Sequence, residues 1–150
     1  MYPALVIARK FVERSIKEKA LITHMKLQKL IYIANGIHLA LYEEPLIIES
    51  IRAWPYGPLI VSIYDDFKVF GSSFIEANLI FPRKSVELNK ESQKSFDDTW
   101  QIGKDVDAIK LSNWTHNTDS PWSKAKEENL NIIPDRYIKD YFTKFLSVGV

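Results

Sequence analysis

From Met25 to Phe67 the chain reads MKLQKLIYIANGIHLALYEEPLIIESIRAWPYGPLIVSIYDDF, and this stretch limits the fold more than any other. Leu27, Leu30, Ile31, Ala34, Ile37, His38 and Leu41 recur at i, i+3, i+4 and i+7, the spacing that gathers side chains on one face of an α-helix. Thr23 stands at the N-cap position of that helix, and Pro45 ends it. Ile51 and Ala53 alternate with Arg52 and Trp54, as in a half-exposed strand. Pro55 and the Tyr56-Gly57-Pro58 turn stop the strand. Pro58 suits the opening of a second helix with Ile60, Ile63, Tyr64, Phe67 and Phe70 on one face and Gly71 as its stop. This order of elements predicts a packed helical module.

The flanks extend the same pattern. Pro3 fits a first helical turn, and Leu5, Ala8, Val12 and Ile16 follow at helical spacing, opposite Arg9, Lys10, Glu13 and Lys17. Phe81-Pro82 interrupts the stretch Ser72 to Leu88, and Ser85 to Leu88 is a candidate strand to pair with Ile51–Trp54. Asn89 caps a helix carrying Phe96 and Trp100 and closed by Gly103; Asp105 is placed to cap another through Val106, Ile109 and Trp114. Ser120-Pro121 is a hydroxyl cap followed by proline at the first helical position. Pro134 opens a last helix whose buried face is Ile138, Tyr141, Phe142 and Phe145. The expected fold is mainly α: a single compact domain over residues 1–150, with about six helices and a minimal antiparallel sheet of two or three short strands.

Composition narrows the function. Twenty basic residues against 19 acidic leave a net charge of +1, so no general attraction to nucleic acid or an anionic membrane is expected. The basic residues Lys17, Lys19, Lys26, Lys29, Arg83 and Lys84 read as solvated faces, since no helix-turn-helix signature accompanies them. There is no cysteine, which excludes disulfides and thiolate chemistry. The charged N-terminus is not a signal peptide. The most apolar run, Leu30 to Tyr42, is 13 residues against the roughly 20 of a membrane span. A soluble, cytoplasmic protein is the expectation.

No catalytic constellation emerges. His24, His38 and His116 form no paired-histidine helix motif, and His38 on an apolar stripe reads as a satisfied core histidine. The adjacent carboxylates Glu43-Glu44, Asp65-Asp66, Asp97-Asp98 and Glu127-Glu128 point about 100° apart on a helix and share no site. No enzyme activity, metal site or cofactor is expected. Aromatics meet prolines at Trp54-Pro55-Tyr56-Gly57-Pro58 and at Pro121-Trp122. These rings either seal the core or anchor a partner, and Trp54, Tyr56 and Trp122 are the candidate partner-binding residues.

Two separated blocks resemble one family. Met25-Lys26-Leu27-Gln28-Lys29-Leu30, Gly36-Ile37-His38-Leu39-Ala40-Leu41-Tyr42, Pro45-Leu46 and Ile51-Arg52-Ala53-Trp54-Pro55-Tyr56-Gly57-Pro58 make the first. Leu111-Ser112-Asn113-Trp114-Thr115-His116 and Ser120-Pro121-Trp122-Ser123-Lys124-Ala125 make the second. Both are similar to the Panacea domain, the SocA-like or GepA-like antitoxin family of bacteria, phages and other mobile elements. The chain departs from that pattern at Trp114, where relatives usually carry a smaller apolar residue, and at Pro55, where lysine is common. The resemblance implies a mainly helical antitoxin that binds and neutralises a protein toxin encoded beside it. The alternative it implies is a proteolytic adaptor delivering a toxin to a housekeeping protease. Many relatives carry an N-terminal DNA-binding segment for which this chain has no room, so direct operator binding is not expected. The family suggests no catalytic residues.

Overall fold

A helix that is apolar over most of its circumference must be covered on all sides. That requirement organises the computed structural model of the chain, which describes residues 1–76 and 86–148. In chain order the elements are α1 (Ala4–Lys17), α2 (His24–Tyr42), β1 (Arg52–Trp54), β2 (Gly57–Leu59), α3 (Val61–Phe67) with a 3-10 turn (Lys68–Phe70), α4 (Lys90–Gly103), α5 (Ala108–Thr115), α6 (Pro121–Glu127) and α7 (Asp135–Val148). The fold is mainly α with a two-stranded antiparallel sheet, as expected. Its α-helices number seven among the described residues, one more than anticipated.

Every residue of α2 from Lys26 to Leu39 is buried, and α1, α3, α4, α5, α7 and β2 all pack against this helix. Thr23 caps it, its hydroxyl accepting from Lys26 N at 3.2 Å, an interaction worth about 1 kcal/mol. The helix stops at Tyr42 because Glu43 adopts a left-handed conformation with φ 60° and donates its N–H to Leu39 O. Asn35, polar in the helix interior, accepts from Leu46 N at 2.8 Å and Ile47 N at 3.3 Å, which folds the chain after α2 back along it. Glu49 then ties two elements together. Its carboxylate accepts from Ala4 N at the positive end of α1 (2.8 Å) and from the Ser62 hydroxyl of α3 (3.0 Å).

Aromatic rings fill the remaining contacts. Phe11 of α1 lies 4.5 Å from Phe96 and 6.4 Å from Trp100 of α4, centroid to centroid. Trp114 sits among Tyr141, Phe142 and Phe145 of α7 at 5.2–5.8 Å, where its size fills the seam between α5 and α7. α7 comes so close to α2 that a Cβ at Gly36 would lie 2.3 Å from the Phe142 ring.

Several expectations are corrected. Pro58 does not open a helix: Gly57–Leu59 is the second strand, and α3 begins at Val61. Among the described residues it is that strand that pairs with Arg52–Trp54. Ser85 lies outside the described residues, as do Phe81-Pro82, Arg83 and Lys84, while Val86–Leu88 joins no ladder. Asp107 caps α5 in place of Asp105, its side chain accepting from Lys110 N at 2.9 Å. The stripe of α1 is rotated toward Ala4, Ile7, Ala8, Phe11, Val12 and Ser15, leaving Leu5 and Ile16 half-buried. Leu41 and Ile109, placed on apolar stripes by their spacing, are exposed because no neighbouring element among the described residues covers them. Among the described residues no helix is long and apolar enough to cross a membrane.

The Gly36–Phe142 contact gives a direct test. Gly36→Ala is expected to destabilise the protein by about 1–3 kcal/mol through overpacking, read as a lowered urea midpoint. Phe142→Leu in the same chain is expected to recover part of that loss, since the ring is what the new methyl meets.

Candidate functional site

A two-stranded hairpin of three-residue strands is not stable alone; here it is completed from both sides. The register pairs Arg52 with Leu59, Ala53 with Pro58 and Trp54 with Gly57. Along the outer edge of β1 lies the segment after α6: Ala53 N donates to Asn131 O (2.9 Å), Ile133 N to Ile51 O (2.8 Å), and Ile132 bridges to Arg52.

The outer edge of β2 is finished by side chains of α2 in place of a strand. Gln28 Nε2 donates to Ile60 O at 3.1 Å while Ile60 N donates to Gln28 Oε1 at 2.9 Å, so one amide reproduces the donor–acceptor pair of a neighbouring strand. Lys29 Nζ donates to Pro58 O at 2.8 Å. Proline is tolerated at this position because its missing N–H would have faced this edge. Gln28 Nε2 also lies 3.2 Å from His24 Nε2. Burial and the nearby Lys29 charge push His24 down, so the neutral ring accepts here through Nε2.

Lys29 is 4% exposed with no carboxylate partner among the described residues, and burial lowers its amine to about 8. Gly57, with φ 119°, makes the close approach possible: a Cβ there would stand 3.1 Å from Lys29 Nζ and 3.3 Å from His116 Nδ1. That His116 nitrogen is buried without a hydrogen-bond partner among the described residues. Its ring packs edge-on to Trp122 at 5.4 Å, and Trp122 Nε1 donates to Trp54 O at 2.6 Å. The two sequence blocks therefore meet in space at the hairpin. Lys26 and Lys29, read from sequence as solvated, are both buried. Lys26 Nζ reaches Lys104 O (2.8 Å) at the negative end of α4.

The three aromatic candidates are brought together but are not equivalent. Tyr56, at the tip, is 86% exposed. Trp54 is half-buried against Tyr64 at 5.1 Å, and Trp122 is half-buried with its N–H consumed by the hairpin. Gln28 and Lys29 were missed by sequence reasoning, although a proline carbonyl beside a glycine turn was a sign that some donor must reach it.

The histidines do not converge. His38 is 5% exposed with Nδ1 2.6 Å from Glu44 O, the core role expected of it, and its neighbours differ from those of His24 and His116. Two of the open grooves on the surface are partly apolar. One of about 660 Å³ lies between the start of α2 and α5, lined by Leu21, Phe74, Val106 and Ile109. Another of about 630 Å³ lies between α6 and α7. Neither is lined by a histidine. Among the described residues no three His, Asp or Glu side chains are grouped to hold a metal.

Fold and site together define a helical module that holds a small hairpin at its surface. The family model described as antitoxin SocA-like, Panacea domain, matches residues 27–123, about two-thirds of the chain. The chain belongs to that family. No curated protein and no solved structure gives a match.

Lys29 makes stability depend on pH. Its amine titrates near 8 when folded and near 10.5 when unfolded, so between these values the unfolded chain binds more protons and stability rises with pH. Relative to Lys29→Met, the native chain is expected to gain about 2 kcal/mol between about pH 7 and about pH 9.5, measured by urea unfolding of both. Trp122→Phe, which removes the donor to Trp54 O, is expected to cost about 1 kcal/mol in the same assay.

Proposed function

We propose that this protein is an antitoxin that neutralises a protein toxin encoded beside it by forming an equimolar complex through the hairpin surface. The reading is supported by membership of the antitoxin SocA-like family. The observation that carries it to the hairpin is Tyr56. It is a large aromatic residue 86% exposed at the tip of an element otherwise tied down on both edges. Exposed aromatics on a rigid support lose little entropy on binding and act as anchors. Trp54 adds its open face beside Tyr64, and Trp122 acts from beneath by holding the Trp54 carbonyl. A stable complex buries about 1,200–2,000 Å² in total, enough to cover the working surface of a small toxin. The activity is non-catalytic and exerted in the cytoplasm.

One observation favours the adaptor alternative: the apolar groove between α2 and α5, lined by other residues than the hairpin surface, offers the second surface that an adaptor needs. Rescue that disappears in a strain lacking the housekeeping protease would select this reading.

Co-expression with the neighbouring gene product is expected to relieve its toxicity and to yield a one-to-one complex on size-exclusion chromatography. Tyr56→Ala is expected to weaken that complex at least about tenfold. A neighbour that is harmless and stays unbound would sink the proposal.

A further inference from the structure

Residues directly opposite in a ladder share a face, and so do residues two apart along a strand. The pairs Arg52↔Leu59 and Arg52↔Ile132 therefore place Ile132, Arg52 and Leu59 in a row on one face of the hairpin, with Trp54 next to Arg52 along the strand. The opposite face, Ile51, Ala53, Pro58 and Ile133, is buried on the core. The outer face is open: Ile132 is 42% exposed, and Arg52, Trp54 and Leu59 are half-exposed. At its centre the Arg52 side chain makes no ion pair or hydrogen bond among the described residues.

We infer that this outer face is the contact surface for the toxin, and that the toxin answers it with a carboxylate ringed by apolar side chains that pairs with Arg52. The inference rests on the antitoxin reading and deepens it by assigning the partner's chemistry. A lone guanidinium within an apolar sheet face leaves one charge to be matched, and Arg, Trp and Tyr are the residue types that dominate interface energetics. A second copy of this chain is a poor occupant. A two-fold contact centred on this face would set Arg52 against Arg52, and like charges in contact oppose association. Nucleic acid fits no better, since Arg52 is the one basic residue among the four that form the row, and backbone binding needs several.

The test uses the full chain and the protein encoded beside its gene, with affinity measured by calorimetry. Arg52→Glu is expected to weaken the complex at least about 30-fold with an unchanged thermal midpoint, and Arg52→Gln to fall between. Replacing the toxin's facing Asp or Glu by Arg is expected to restore binding to Arg52→Glu and to no other variant. Ile109→Asp, in the groove between α2 and α5, is expected to bind as the native chain does. Native-like binding by Arg52→Glu, or loss with Ile109→Asp in its place, would overturn the inference while leaving the antitoxin reading standing. Failure of the native chain itself to bind would overturn both.

Discussion

Gln28 and Lys29 leave the central helix on the side where the hairpin lies, and the rest of the arrangement depends on how they meet its edge. Among the described residues, the strand of Gly57, Pro58 and Leu59 has no third strand beside it. Its outward carbonyl and the backbone of Ile60 would otherwise be buried against α2 with their hydrogen bonds unmade, at about 1–3 kcal/mol each. One glutamine amide and one lysine ammonium supply the missing partners. The cost is a lysine held away from water, visible in its lowered titration. That cost is tolerated because Lys29 does two things at once: it closes the edge and holds Pro58 where Gly57 can turn the chain.

The same economy of polar groups recurs around α2. Asn35 anchors the returning chain, Glu49 joins the start of α1 to α3, and Lys26 meets the end of α4. Each is a long-range bond from an element that periodicity would assign to packing alone. These bonds fix how neighbouring elements are disposed, while the apolar surface between α2, α4 and α7 supplies the bulk of the stabilisation. The core is therefore rigid where the hairpin attaches. Such support is what the proposed binding role of a small projecting element would require, because little ordering would remain to be done when a partner arrives.

The chain's two separated sequence blocks serve one structure. The first contains the hairpin and the helix that completes its edge; the second contributes His116 and Trp122, which close over the turn. What varies in exposure is the outer row and the tip. Tyr56 stands open at the tip, Arg52 is half-exposed, and Trp54 is half-buried against Tyr64. Inside, α7 offers Trp114 a cluster of rings.

Local signals determined much of this protein. The period of α2, the caps Thr23, Asn89 and Ser120, and the proline at the start of α6 were legible because each acts within one turn of helix. Pro58 was misread because a fixed φ suits both the first turn of a helix and an edge strand, and only the neighbour on that side tells which. Lys26 and Lys29 were placed in water because spacing reports a face but not whether another element covers it. Leu41 and Ile109 erred in the other direction for the same reason. The aromatic candidates could be named from sequence, yet which ring is free and which is a strut was settled by tertiary packing, as was the isolation of Arg52. Hydrophobic periodicity is a property of neighbouring residues in one segment, whereas burial and pairing depend on segments distant in the chain.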